Sequence, residues 1–321
     1  MSNKPDLLAT GPLMPFMEEE LGAAFALHRL PKDGRDAFIA AAGPRVRAIA
    51  TAGGAPVNGE MLAKLPNLEI VANFGVGYDS VDAKAAAARG VIVTNTPDVL
   101  TDEVADLAVG LLLATVRELP RADNYLRAGK WLERPMPFTA TLRDRIIGIL
   151  GLGRIGQAIA RRLEPFGRPI VYHSRKPVPG VPWQHYPDLV AMARDVDVLI
   201  VIAPGGPATK NIVNRAVLTA LGPNGILINV ARGSLVDESA LIEALRDKAI
   251  LAAGLDVFAD EPRVPQALVE LDNVVLLPHV GSATHVTRRA MGQLVIDNLK
   301  SWIAGKGPLT PVAETPWPQR K

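Results

Sequence analysis

An arginine, a glutamate and a histidine each follow an apolar run in the second half of the chain: Arg232 after ILINVA, Glu261 shortly after AAGLDVF, and His279 after VVLLP. If those runs are strands of an open parallel sheet, all three side chains lie at strand carboxyl ends, where such sheets bind their ligands. The three types suit reduction of a 2-keto acid. Hydride delivery to the carbonyl carbon builds negative charge on oxygen, next to a carboxylate that is already charged. An arginine holds that carboxylate through two charge-assisted hydrogen bonds. A histidine exchanges protons near neutrality and can hand one to the new alkoxide. A glutamate beside the ring orients it and favours the imidazolium. Each residue also has a plainer use: His279 as a structural histidine, Arg232 as a contact to phosphate or a surface carboxylate, Glu261 as a turn cap before Pro262. Spacing alone does not assemble the three.

Upstream, Gly151, Gly153 and Gly156 form G-x-G-x-x-G between an apolar strand (Ile146, Ile147, Ile149, Leu150) and a helix with Ile155, Ile159 and Leu163 at helical spacing. Gly151 permits the tight turn, Gly153 lets a pyrophosphate approach the backbone, and Gly156 lets helix and strand pack closely. The helix N-terminus, with Arg154 and Ile155, then offers N–H groups to the anion. About 20 residues further on, a dinucleotide site for NAD(H) carries an acid for the ribose hydroxyls. Here the next strand runs instead into His173, Ser174, Arg175 and Lys176. A hydroxyl and two cations suit a 2′-phosphate, so the expected cofactor is NADP(H), with NAD(H) second. The alternative is a solvated turn before Pro177.

Composition narrows the class. The 321 residues include 35 basic and 33 acidic side chains interspersed along the chain, for a net charge of +2, with 48% hydrophobic residues. That length and apolar content allow two domains with cores of their own. No basic block marks a nucleic-acid surface. The apolar run 107–116 falls well short of the ~20 residues of a membrane helix. No metal site is expected. Cysteine is absent, which excludes disulfides and thiol chemistry. Together with an N-terminus unlike a signal peptide, this favours the cytoplasm.

Strands and helices alternate throughout, with strands expected at 7–10, 46–51, 69–73 and 91–94, then at 146–150, 170–172, 198–202, 226–230, 251–255 and 274–277. This alternation predicts an α/β chain of two doubly wound parallel sheets. Between the two series, 102–119 reads as a helix apolar on most faces, capped by Thr101 and buried between domains or subunits. A last helix is expected at 284–304. The proline-rich 308–321 reads as a surface tail.

The chain resembles the D-2-hydroxyacid dehydrogenase family, in its glyoxylate/hydroxypyruvate reductase branch, through FGVGYDSVD at 74–82, LTDEVADLAVGLLLA at 100–114, GILGLGRIGQAIA at 148–160, INVARGSLVDESALIEAL at 228–245, GLDVFADEP at 254–262 and LPHVGSAT at 277–284. The resemblance implies a Rossmann/flavodoxin-like pair of domains with the active site in the cleft between them: a substrate or lid domain of 1–99 plus 286–321, and a cofactor domain of 100–285. It implies Arg232 as the carboxylate-binding arginine, His279 as proton donor and Glu261 as its partner. On the substrate side it implies Val76 and Gly77, with Gly53 and Gly54 of the 51–54 loop. Around the cofactor it implies Thr101, Ala203, Pro204, Thr209, Val230, Ala231, Asp256 and Gly281. A homodimer is implied, in which Trp131 either lines the partner's pocket or packs the interface. The expected reaction is NADPH-dependent reduction of glyoxylate to glycolate and of hydroxypyruvate to D-glycerate. Two alternatives stand beside it. One is another D-2-hydroxy acid, such as phosphoglycerate, lactate or a longer acid; the other is a nucleotide-sensing regulator on the same fold. The 204–209 loop, with its Gly205-Gly206 pair, also resembles that of the reductase branch, where other members more often carry a Pro-Leu-Thr version, and Ala249 departs from the family in standing where a turn glycine is usual.

Overall fold

The computed structural model describes residues 4–51 and 56–317. The chain divides into two compact units, Met1–Leu100 together with Thr284–Lys321, and Thr101–Ala283. The divisions fall at 100/101 and 283/284, against the expected 99/100 and 285/286.

The first unit is built on five parallel strands: β1 (Asp6–Ala9), β2 (Ala26–Arg29), β3 (Val46–Ala50), β4 (Ile70–Ala72) and β5 (Ile92–Thr94), in the order β2-β1-β3-β4-β5. Side chains alternate across the sheet as a two-residue period requires. Leu8, Ile49, Val71 and Val93 join one core with Leu62 and Leu65. Leu7, Ala48, Ile70 and Ile92 join the other, under Met17 and Leu21 of the helix Pro15–Ala24 and Val295, Ile296 and Leu299 of the helix His285–Ile303. Those two helices touch closely at Gly292, where a Cβ would stand 2.6 Å from Phe16.

The second unit carries seven parallel strands: β6 (Ile147–Leu150), β7 (Ile170–His173), β8 (Gln184–Tyr186), β9 (Val198–Val201), β10 (Ile226–Asn229), β11 (Ala252–Leu255) and β12 (Val274–Leu276). Their order, β12-β11-β10-β9-β6-β7-β8, reverses direction between β6 and β9. That point is where a doubly wound sheet opens a crevice at its carboxyl edge. β6, β9 and β10 are buried along their whole length.

Three expectations need correction. Thr101 does not cap the connecting helix; it is the first residue of Thr101–Val116. That helix also stops before 119. Glu118 turns to a φ of 49°, and Pro120, which has no N–H to give a helix interior, sits in the first turn of a new helix, Leu119–Arg127. On one side of the helix Thr101–Val116, Leu111 and Thr115 press on Gly254 of β11, and Arg162 binds both Asp102 and Asp106. Finally, 308–317 is not a surface tail. Pro311 bridges Thr94 in antiparallel fashion, Val312 and Thr315 are buried, and Trp317 packs edge-on against Trp302 at 5.0 Å. A segment poor in its own hydrogen bonds gains them from the open edge of β5.

Two edge strands, β2 and β8, escaped the sequence pattern because their residues, ALHR and QHY, are only partly buried and carry no apolar alternation. Ala249 needs no glycine, because the left-handed residue of that turn is Lys248, at a φ of 57°.

The Thr315 hydroxyl accepts from the Val93 N–H at 2.9 Å. Thr315→Ala leaves that buried donor unpaired and is expected to cost about 1–3 kcal/mol, read as a lower urea midpoint with unchanged m-value.

Candidate functional site

Gly151 and Gly156 each meet a different steric demand, whereas the protein itself leaves space at Gly153. Gly151 has a φ of 101°, and a Cβ on it would lie 2.7 Å from the backbone of Ala203, just past β9. A Cβ on Gly156 would lie 2.1 Å from the Gly151 carbonyl oxygen, so only glycine allows the helix this close to the turn. Gly153 is the N-cap of the helix Arg154–Leu163, without a side-chain cap, and a Cβ on it would meet nothing within 4 Å. The first turn, with Arg154 and Ile155, carries no acid, and the last turn carries Arg161 and Arg162. An uncapped helix start with positive dipole end and open space above its cap fits a pyrophosphate.

β7 ends against this loop, since the Gly151 N–H donates to the His173 carbonyl at 2.9 Å. Ser174, Arg175 and Lys176 follow directly. The Ser174 hydroxyl donates to the Lys176 carbonyl at 2.7 Å, closing the turn, while Arg175 and Lys176 are exposed. On the other side of the crevice, the Thr209 hydroxyl donates to the Pro204 carbonyl at 2.7 Å and shapes the loop after Ala203. Within that loop Gly206, at a φ of 133°, is the position that requires glycine.

The Arg232, Glu261 and His279 loops all belong to the second unit, and the structure brings them together. His279 Nδ1 lies 2.6 Å from Glu261 Oε2, and Glu261 Oε1 accepts from the Phe258 N–H at 3.0 Å. Burial pushes the Glu261 carboxyl up, but the bonds from His279 and Phe258 and the charges of His279 and Arg232 together outweigh it and hold the group below the usual glutamate range. Because a carboxylate only accepts, Nδ1 carries the proton in this pair and Nε2 is the nitrogen left for other chemistry.

Two features place these loops. Gly233, next to Arg232, packs so closely that a Cβ would stand 1.9 Å from the Phe258 carbonyl carbon. Asp256 organises the histidine loop, its backbone carbonyl accepting from the His279 N–H at 2.9 Å and its carboxylate from the N–H groups of Val280 at 2.7 Å and Gly281 at 2.8 Å. His279 is held there at a φ of 53°, a left-handed conformation rare for a side-chain-bearing residue. Burial pushes the Asp256 carboxyl above the usual range, against the pull of those two N–H bonds.

Asn229, the last residue of β10, is a positioning residue that the sequence reading missed. Its amide accepts from the Ala231 N–H at 3.0 Å and donates to the Arg232 carbonyl at 3.0 Å, shaping the turn of Val230, Ala231 and Arg232. The available signal was an asparagine ending an otherwise apolar buried strand, since a buried amide requires partners. Thr101 lies half-buried at the start of its helix, and Trp131, on the turn Lys130–Leu132, is 66% exposed.

The first unit holds Val76 and Gly77. Asn73 donates to the carbonyls of Gly75 and Gly77 at 3.1 and 3.0 Å, Asn95 donates to that of Val76 at 2.9 Å, and the buried Thr51 hydroxyl donates to Asn73 and accepts from the Phe74 N–H. The loop's carbonyls are thus engaged, while the Val76 and Gly77 N–H groups have no acceptor among the described residues. Gly53 and Gly54 lie outside the described residues. Among the described residues no group of acids and histidines could hold a metal, and no helix is long and apolar enough to cross a membrane.

Gly233→Ala forces the Arg232 turn away from Phe258, at an expected cost of about 1–3 kcal/mol or more in urea unfolding. The Glu261 carboxyl titrates lower in the folded protein than in the unfolded chain. Its contribution is therefore present above the unfolded value, about 4.3, and lost as pH falls through the folded one. Wild-type stability should fall relative to Glu261→Gln over that acid window, in urea midpoints taken from pH 6 downward to about pH 3.

Residues 109–281 match the family model described as D-isomer specific 2-hydroxyacid dehydrogenase, NAD binding domain. Glyoxylate/hydroxypyruvate reductase A of Arabidopsis thaliana is 45% identical over 302 residues, 94% of this chain and 96% of that protein. The 2-ketogluconate reductase of Gluconobacter oxydans is 43% identical over 312 residues, 97% of this chain and all of its relative. A crystal structure of an NADPH-dependent glyoxylate/hydroxypyruvate reductase from Sinorhizobium meliloti, in complex with NADP and malonate, superposes with a TM-score of 0.94 at 52% identity, covering 99% of both chains. With these matches along nearly its whole length, and with a glycine-rich crevice and a paired histidine and glutamate in one unit, the chain belongs to the D-isomer-specific 2-hydroxyacid dehydrogenase family.

Proposed function

We propose that the protein is an NADPH-dependent reductase of small 2-keto acids, converting glyoxylate to glycolate and hydroxypyruvate to D-glycerate, with NAD(H) as the second cofactor. The observation that carries this reading is the hydrogen bond between His279 Nδ1 and Glu261 Oε2, formed in the same unit as the glycine-rich crevice and next to the Arg232 turn. The relatives' own activities support the substrate class.

In this reading the second unit is the cofactor domain and the first the substrate or lid domain. The pyrophosphate is held by the N–H groups that follow Gly153, and the 2′-phosphate by Ser174, Arg175 and Lys176. When bound, the reduced nicotinamide supplies the hydride. Arg232 grips the substrate carboxylate through two parallel bonds and fixes which face of the keto group is presented. His279 gives the proton on Nε2 to the carbonyl oxygen as charge builds there. Glu261, ionised at neutral pH, holds the ring by Nδ1 and stabilises its cationic form. The Val76 and Gly77 N–H groups are the first unit's donors to the acid. Thr101, Ala203, Pro204, Thr209, Val230, Ala231, Asp256 and Gly281 complete the surroundings of the cofactor.

A homodimer is part of the proposal. Leu119, Leu126, Trp131, Leu132 and Phe138 are all more than half exposed along one stretch of chain. Such a concentration of exposed apolar surface suits an interface, and Trp131 is the member proposed to reach the partner's substrate. The proposed setting is the cytoplasm, with no nucleic-acid or membrane partner.

The test is initial oxidation of NADPH and NADH with glyoxylate, hydroxypyruvate, pyruvate, phosphohydroxypyruvate and 2-ketogluconate in turn. Fastest turnover is expected with NADPH and the first two acids. A preference for another acid would move the substrate assignment, and cofactor binding without turnover on any of them would point to the nucleotide-sensing alternative. His279→Ala should lower kcat by roughly 10²- to 10⁴-fold with cofactor affinity kept. Arg175→Ala should raise the KM for NADPH by roughly 10- to 100-fold, the loss of a charge-assisted contact, and leave that for NADH nearly unchanged. Equal effects on both cofactors would remove Arg175 from phosphate recognition.

A further inference from the structure

The edge strand β8 contributes little to the core. Gln184 is exposed and His185 and Tyr186 are half-buried. Two of its polar contacts instead reach the end of β7, where the Ser174, Arg175 and Lys176 turn begins. His185 Nε2 lies 2.9 Å from the Ser174 carbonyl oxygen, and His173 Nδ1 lies 2.9 Å from the Tyr186 carbonyl oxygen. A carbonyl only accepts, so both ring nitrogens donate.

His185 is also cross-strand neighbour to Tyr172, with ring centroids 5.2 Å apart and planes at 51°. The Tyr172 hydroxyl accepts from the Val178 N–H at 2.9 Å. The segment 174–178, exposed at 175–177, is therefore pinned at its start by His185, within by the Ser174 hydroxyl on Lys176, and at its end by Tyr172. Arg175 sits between these pins, and no described residue is paired with its guanidinium.

We propose that His185 is a positioning residue for cofactor choice, holding the Ser174 carbonyl so that Ser174 and Arg175 stand preorganised for a 2′-phosphate. This rests on the NADPH reading above. An unpinned turn must be ordered at the moment of binding, and that entropic cost weakens the ligand that uses the turn. NADH has no group for Ser174 and Arg175 to hold, so its binding draws nothing from the pin. The effect of losing His185 therefore falls on one cofactor.

The experiment compares KM values for NADPH and NADH in His185→Phe, which keeps a ring against Tyr172 but removes the donor, and in His185→Gln, whose amide nitrogen can donate from a similar position. His185→Phe is expected to raise the KM for NADPH by roughly 2- to 10-fold, the range for one lost neutral hydrogen bond, with kcat and the KM for NADH unchanged. His185→Gln should recover most of that loss. An equal change for both cofactors, no change for either, or glutamine performing no better than phenylalanine overturns the inference. Should the phenylalanine variant fail to fold, Tyr172→Phe frees the other end of the turn and must show the same selectivity. Arg175→Ala in the same assay separates the two levels: without selectivity there, the NADPH reading itself falls; with it, only the role of His185 is at stake.

Discussion

The second unit depends on a backbone contact that no side chain can share. The turn after β6 passes so close to Ala203 after β9, and to the helix it opens, that neither Gly151 nor Gly156 has room for a Cβ. This contact sits where the strand order reverses. It closes the floor of the crevice while leaving the N-terminus of the helix Arg154–Leu163 facing open space. The same turn donates its Gly151 N–H to the last residue of β7, which sets where the Ser174 turn begins. The proposed pyrophosphate and 2′-phosphate sites thus rest on one steric constraint.

Close backbone approach recurs at Gly233, where the Arg232 turn rests on the backbone at Phe258. Buried polar side chains then set the directions of the loops. Asn229 closes the arginine turn through both ends of its amide, and the Asp256 carboxylate gathers two N–H groups of the histidine loop while its backbone carbonyl takes a third. Holding His279 at a positive φ stores backbone strain at the residue proposed to move the proton, and the Asp256 contacts offset it. Burial pushes the Asp256 carboxyl up, because a charged carboxylate there gives up water, and the Val280 and Gly281 N–H groups oppose that shift.

The first unit uses the same devices on a smaller scale. Asn73, held by the Thr51 hydroxyl, and Asn95 engage the carbonyls of the 75–77 loop and leave N–H groups at Val76 and Gly77. Asn95 is in turn held by Thr310, whose hydroxyl donates to the Asn95 carbonyl. The C-terminal strap is therefore continuous with the support of that loop, a role its proline content conceals.

What the sequence determined by itself is what neighbouring residues encode: the glycine spacing, the strand and helix periods, the missing acid after β7, and the placement of Arg232, Glu261 and His279 at strand ends. Each is a pattern within one segment, read from side-chain type and period. Only the tertiary structure decided which loops meet. Strand order brings Glu261 onto His279, puts Gly233 against Phe258 and sets His185 on Ser174, and no local pattern carries strand order. The edge elements were hidden for the same reason. β8 and the strap at 308–317 have weak local preferences, and they become ordered by hydrogen bonds to strands distant in sequence. A proline-rich segment reads as a tail until a strand edge with unpaired N–H and C=O groups is there to receive it.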